Sequence, residues 1–134
     1  MRSSVRDPFE GVCPFHGNCI EGLASARAIE ARTGMPAQAL PDGHPVWELV
    51  AQHLAELSIA ILLATSPEVV VLGGGVMKRE VLLPLVRQEV TARLGGYPAR
   101  VGRVVQPQLE VPGLAGALLL ADAVAEPFGG PQGV

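Results

Sequence analysis

A chain of 134 residues that is 49% apolar and 17% charged has enough material for one domain with a real core. Its net charge of −3 and lack of a basic stripe argue against a dedicated nucleic-acid binder. The longest apolar runs, such as Ile59 to Ala64, are too short to cross a bilayer, and Met1 to Phe9 does not read as a secretory leader. A cytoplasmic protein with no membrane or nucleic-acid partner is the expectation.

Residues 1 to 18 are predicted to be irregular, because Pro8, Gly11, Pro14 and Gly17 interrupt regular structure. One helix is expected from Cys19 to Thr33, with Ile20, Leu23, Ala24, Ala28 and Ala31 at helical spacing and Gly34 just past its end. Met35 to Gly43 reads as a loop. Pro45 then opens a second helix, whose inner face should carry Trp47, Val50, Leu54, Leu57, Ile61 and Ala64 before Ser66-Pro67 ends it.

The β-branched run Val69 to Leu72 reads as a strand buried on both faces, broken by Gly73-Gly74-Gly75. A helix from Val81 to Leu94 should turn Leu82, Val86, Val90 and Leu94 inward. Val101 to Val105 is expected to be a second, edge-lying strand. Gly113 to Val124, small and apolar, reads as a buried helix packed closely on its neighbours, and residues 127 to 134 as a loose tail. The order implies a layered α/β unit over residues 1 to 126, dominated by helices. Its sheet is truncated: two strands are too few to cover a run like Val69 to Leu72.

Two cysteines, Cys13 and Cys19, flank His16 in Cys13-Pro14-Phe15-His16-Gly17-Asn18-Cys19. Thiolates and imidazole are the donors tetrahedral zinc prefers, and two residues between donors let a tight turn aim them at one point. A disulfide would close only a tiny loop. The competing reading is a pair of buried thiols beside a surface histidine. Three donors are one short of a closed structural site, and His44 and His53 read as structural or solvated rather than as a fourth.

The stretch from Phe9 to Ser25 closely resembles the zinc signature of the fructokinase branch of the ROK (repressor, open reading frame, kinase) family, with histidine in the middle ligand position. The resemblance continues through His44-Pro45-Val46-Trp47, Leu72-Gly73-Gly74-Gly75-Val76-Met77 and Gly116-Ala117, covering about residues 5 to 125. It departs at Ser25-Ala26-Arg27-Ala28, where the family commonly has Ser-Gly-Pro-Ala, and at Glu110-Val111-Pro112.

This likeness implies the C-terminal part of an actin-like (ribonuclease-H-like) ATPase-fold sugar kinase. The enzyme would transfer the ATP γ-phosphoryl group to a hexose, fructose by preference, with Mg²⁺. It implies Cys13, His16 and Cys19 as structural Zn²⁺ ligands and Glu21 as a sugar contact. Gly73, Gly74 and Gly75 become the floor under the nucleotide base. By the same likeness the fourth zinc ligand, the phosphate loops and the catalytic aspartate lie upstream of the point matching Met1. No catalytic residue is therefore assigned to this chain, and Asp7, Asp42 and Asp122 sit in settings unlike the catalytic one. An N-terminal half or a second copy is the implied protein partner. The rival class is a non-catalytic, zinc-stabilised or partner-binding module. Taken without the likeness, Glu21 is an ordinary first-turn glutamate and the three glycines a sharp strand-to-helix turn.

Overall fold

A computed structural model describes residues 3–96 and 104–124. Its elements are α1 (Ile20–Ala24), α2 (Ala26–Thr33), α3 (Val46–Thr65), β1 (Val70–Val71), α4 (Leu82–Leu94), β2 (Val104–Val105) and α5 (Pro112–Val124). Two 3-10 turns, Ala37–Ala39 and Val76–Lys78, lie in the connections. Expectations for residues 101–103 and for the tail at 127–134 fall outside the described residues.

The single helix expected from Cys19 to Thr33 is two. Ser25 takes an extended conformation (ψ 162°), and its hydroxyl accepts from the Ala28 N–H to cap α2. A serine that finds a backbone donor offers the chain a fresh helix start, which outcompetes continuation. Gly34 ends α2 in the left-handed conformation, as read from the sequence.

α3 is the centre of the core and packs on α1 and α4. Its buried face is Val46, Trp47, Val50, Ala51, His53, Ala55, Ser58 and Leu62, so the stripe is rotated from the expected one; Ile61 and Ala64 are exposed. By length and composition α3 matches a membrane span, contrary to the expectation from its shorter apolar runs. Here its inner face is instead spent on neighbouring helices, with the core closing around Trp47, Ile29, Leu82, Val86 and Val90.

β1 and β2 form a parallel pair with Val70 opposite Val104 and Val71 opposite Val105. Parallel strands need a crossover, which α4 supplies. Arg87 Nε on α4 donates to the Val104 carbonyl at 2.7 Å and fastens helix to strand. Val70 and Leu72 are buried, but Val69 is 48% and Val71 57% exposed. The expected burial on both faces is thus corrected to one face, because among the described residues nothing covers the other. α5 departs further: Leu114, Leu118, Leu119 and Leu120 are all well over half exposed, so the expected buried helix is a helix with an open apolar surface.

Candidate functional site

The chain reaches the Cys-His-Cys segment through a strap anchored by charge. The Asp7 carboxylate accepts from Arg32 Nη1 at 2.7 Å, from the Phe9 N–H at 3.0 Å and bonds His53 Nε2 at 2.9 Å. Burial would raise the Asp7 pKa, but the Arg32, His53 and Phe9 hydrogen bonds outweigh it and hold the group at about 2. Arg32 also donates to the Leu23 carbonyl on α1 and stacks its guanidinium 4.2 Å from the Phe9 ring centroid. On the far side of His53, Ser3 Oγ lies 2.8 Å from Nδ1 and donates to Glu56.

Past the strap, residues 13 to 17 close a tight antiparallel turn. The Cys13 N–H donates to the Gly17 carbonyl, and the Gly17 N–H donates back to the Cys13 carbonyl. The turn sits against α1, where Gly22 has no room for a side chain: a Cβ would overlap the Gly17 carbonyl oxygen. The Gly22 carbonyl in turn accepts from Val12 N–H at 3.0 Å.

This packing brings Cys13 Sγ, His16 and Cys19 Sγ together, with all three donor atoms within 4.8 Å of one another. Cys13 Sγ and His16 Nδ1 are 3.8 Å apart. Zinc–sulfur and zinc–nitrogen bond lengths imply donor separations of about 3.5–3.8 Å around a tetrahedral ion, so the turn is already near the required size. The backbone N–H groups of Phe15 and then His16 stabilise the Cys13 thiolate and pull its pKa down to about 7. The residues fit a zinc ion on geometry and on donor chemistry. Neither cysteine is in a disulfide. His44 and His53 take no part: His44 Nδ1 accepts from the Val46 N–H at the head of α3, and His53 is fully buried against Asp7.

Glu21 follows Cys19 by two residues and is exposed on the first turn of α1, beside the cluster. Gly73, Gly74 and Gly75 lie elsewhere. They follow β1 and line a cavity of about 980 Å³, whose far wall is the segment from Gln106 to Gly113. Gly74 has φ +100°, a conformation that other residues rarely adopt, and Pro107 packs on Gly73. Gln106 Nε2 donates to the Met77 carbonyl at 2.6 Å and ties the turn to β2. Lys78 lines the same cavity, whereas Glu21 does not, so the sugar and nucleotide candidates are separate surfaces of this chain.

Of the residues that hold these surfaces, His53 reads from the sequence as structural or solvated and is structural, whereas its partnership with Asp7 and Arg32 was not foreseen. His53 had a signal: it falls at helical spacing from Val46 and Val50, a polar residue on an apolar stripe. Asp7 and Arg32 had none, since an ion pair between residues so far apart leaves no local pattern.

A short parallel pair crossed by a helix, with helices dominating, defines a small α/β unit that carries a Cys-His-Cys cluster able to hold a metal and a glycine turn at a strand's end. The sequence pattern of the ROK family matches residues 4–124, and the chain belongs to that family. It is similar to a fructokinase of Streptococcus mutans, 37% identical over 128 residues (92% of this chain, 44% of the relative). It is likewise similar to a fructokinase of Pediococcus pentosaceus, 36% identical over 121 residues (87% and 42%), and to one of Lactococcus lactis, 37% identical over 89 residues (66% and 31%). The chain thus spans less than half the length of these relatives.

Proposed function

We propose that this chain is the C-terminal portion of an ATP-dependent fructokinase of actin-like fold, acting in the cytoplasm on fructose and Mg²⁺-bound ATP. Residues 1–126 would form part of one lobe. The observation that carries the reading is the placement of Glu21 on the first turn of α1, directly beside the Cys13–Cys19 cluster, in a chain whose relatives are fructokinases. Zn²⁺ held by Cys13, His16 and Cys19 would stiffen that turn and take no part in the chemistry. Glu21, two residues on, would then be a fixed acceptor for two sugar hydroxyls, orienting the ring for phosphoryl transfer. Gly73 to Gly75 would form the base floor, since a wall without side chains lets a flat ring lie against the backbone.

No aspartate here is proposed as the base that deprotonates the sugar. Asp7 is held at about 2 by Arg32 and His53, Asp42 is paired with Arg79, and Asp122 is on exposed α5. That role is assigned to the part of the longer protein that this chain does not contain. Joined to the N-terminal half of a fructokinase relative, the chain should phosphorylate fructose faster than glucose. Glu21→Ala should then raise the KM for sugar well beyond the KM for ATP. Equal losses toward both substrates would make Glu21 a folding residue and remove the sugar assignment.

A second reading, a non-catalytic metal-stabilised module that binds a partner, is favoured by the open leucine surface of α5 and the uncovered face of β1. Assays of the chain alone and of the joined form decide between them. Sugar-dependent ATP consumption abolished by Glu21→Ala would mean that this chain is a complete enzyme, against both readings. No turnover alone, with activity restored by the joined half, supports the kinase portion. No turnover in either form supports the module.

A further inference from the structure

Arg79 follows the 3-10 turn Val76–Lys78 and hands the chain to α4: its N–H donates to the Val76 carbonyl, and its carbonyl accepts from Leu82 N–H. A basic residue after a turn normally extends into solvent. Arg79 instead folds back beside a second cavity of about 330 Å³, which adjoins the glycine turn at Gly75 and Lys78. Its Nη2 donates to the carbonyls of Ala37 (2.7 Å), Leu40 (2.8 Å) and Gln38 (3.2 Å), and its Nη1 to Asp42 Oδ1 (2.9 Å). The guanidinium lies 5.1 Å from the Trp47 ring centroid, and Trp47 Nε1 donates to the Pro41 carbonyl of the same loop.

This contact set requires the planar fork of arginine. A 3-10 turn of three residues leaves its carbonyls without helical partners, and a guanidinium can take several at once while stacking on an aromatic face. A lysine ammonium, a point charge with three donors, cannot do both. The glycine turn is therefore tied on one side by Gln106 to β2 and on the other by Arg79 to loop 36–42 and the head of α3.

We infer that Arg79 is the positioning residue of the glycine turn. It locks Gly73–Lys78 against loop 36–42, so that occupancy of the turn is felt at Trp47. The second half of this inference rests on the nucleotide reading of Gly73–Gly75; the lock does not. Arg79 itself is not placed against the reacting groups and is not a catalytic residue.

The test uses the full chain and its Arg79→Lys variant. Amide hydrogen exchange should quicken about tenfold in both 73–78 and 36–42, while amides in the middle of α3 keep their wild-type rates. Titration with Mg²⁺-bound ATP, read by the emission of Trp47, the single tryptophan of the chain, should give a Kd weakened about tenfold. Asp42→Asn should weaken it less, since the three carbonyl contacts remain. Unchanged exchange in Arg79→Lys overturns the lock. Quickened exchange with an unchanged Kd overturns the positioning role. If equilibrium dialysis finds no ATP bound by the wild type, the nucleotide reading of the glycine turn fails, and exchange alone still decides the lock. Should Arg79→Lys not fold, the wild type carries the exchange test: amides of 36–42 and 73–78 that open together with matched protection support the lock, and independent opening of the two segments overturns it.

Discussion

From Ser3 to Ser58 most buried polar groups meet partners inside the chain: Asp7 with Arg32 and His53, Ser58 Oγ with the Leu54 carbonyl, Trp47 Nε1 with Pro41, while Arg32 Nε has none among the described residues. From Leu109 to Asp122 the balance is reversed, and Leu109, Val111 and four leucines of α5 face outward. The second region is the more apolar of the two, yet it is the less buried. What separates them is whether the other half of each contact lies among the described residues. A helix with a wide apolar surface gains stability only from what covers it, so α5 adds little to the unit described here.

The largest expected effect tests the self-contained region. If Cys13, His16 and Cys19 hold zinc, the purified chain should carry about one zinc per molecule, and Cys13→Ser should lower both metal content and Tm. Complete zinc-finger sites contribute roughly 10–16 kcal/mol of apparent binding energy; a three-donor site should give less. Metal content unchanged by Cys13→Ser would remove the zinc assignment.

Next is the strap. Asp7→Asn leaves Arg32 without its carboxylate partner, and chemical denaturation should show a loss of about 3–5 kcal/mol, as for other broken buried pairs. A loss below about 1 kcal/mol would mean that solvent replaces the pair. The same group sets an acid limit. The Asp7 pKa is lowered on folding, so the unfolded chain binds the proton more readily and stability falls as pH drops. The contribution is present above about pH 5 and should be lost toward pH 2, amounting to about 2 kcal/mol. Thermal melts across that window should show the decline, and Asp7→Asn should flatten it.

How much of this contrast could be read from residues alone depends on how far apart the partners lie. The Cys-His-Cys spacing, the left-handed end of α2 at Gly34 and the inward face of Leu82, Val86 and Val90 were legible, because each is a pattern within a few residues. The break at Ser25 was not: period and composition favoured a single helix, and a hydroxyl finding the Ala28 N–H won. The exposure of Val69, Val71 and α5 was misread because apolar composition states a need for burial without saying what meets it. Arg79 was invisible for a related reason: three of its partners are backbone carbonyls, which have no residue identity, and its side-chain partners Asp42 and Trp47 are distant in sequence.

The smallest effect tests the open region. Leu119, 69% exposed, should tolerate Leu119→Gln with a change within about 0.5 kcal/mol. A loss above about 2 kcal/mol that fades on dilution would show that copies of the chain cover this surface in solution.

The β1–β2 pair also constrains the order of events when the chain folds. Val70 must meet Val104 only after α4 has docked between them, and the loop entropy of that closure falls due before the ladder returns any stabilisation. Helices α3 and α4, packed on each other and joined by a shorter connection, face less of that delay. The strand pair should therefore be absent from the folding transition state. Val104→Ala would then speed unfolding and leave the folding rate nearly unchanged, whereas Val86→Ala should slow folding. The piece of sheet on which the glycine turn depends would be the last part of the described unit to form and the first to open.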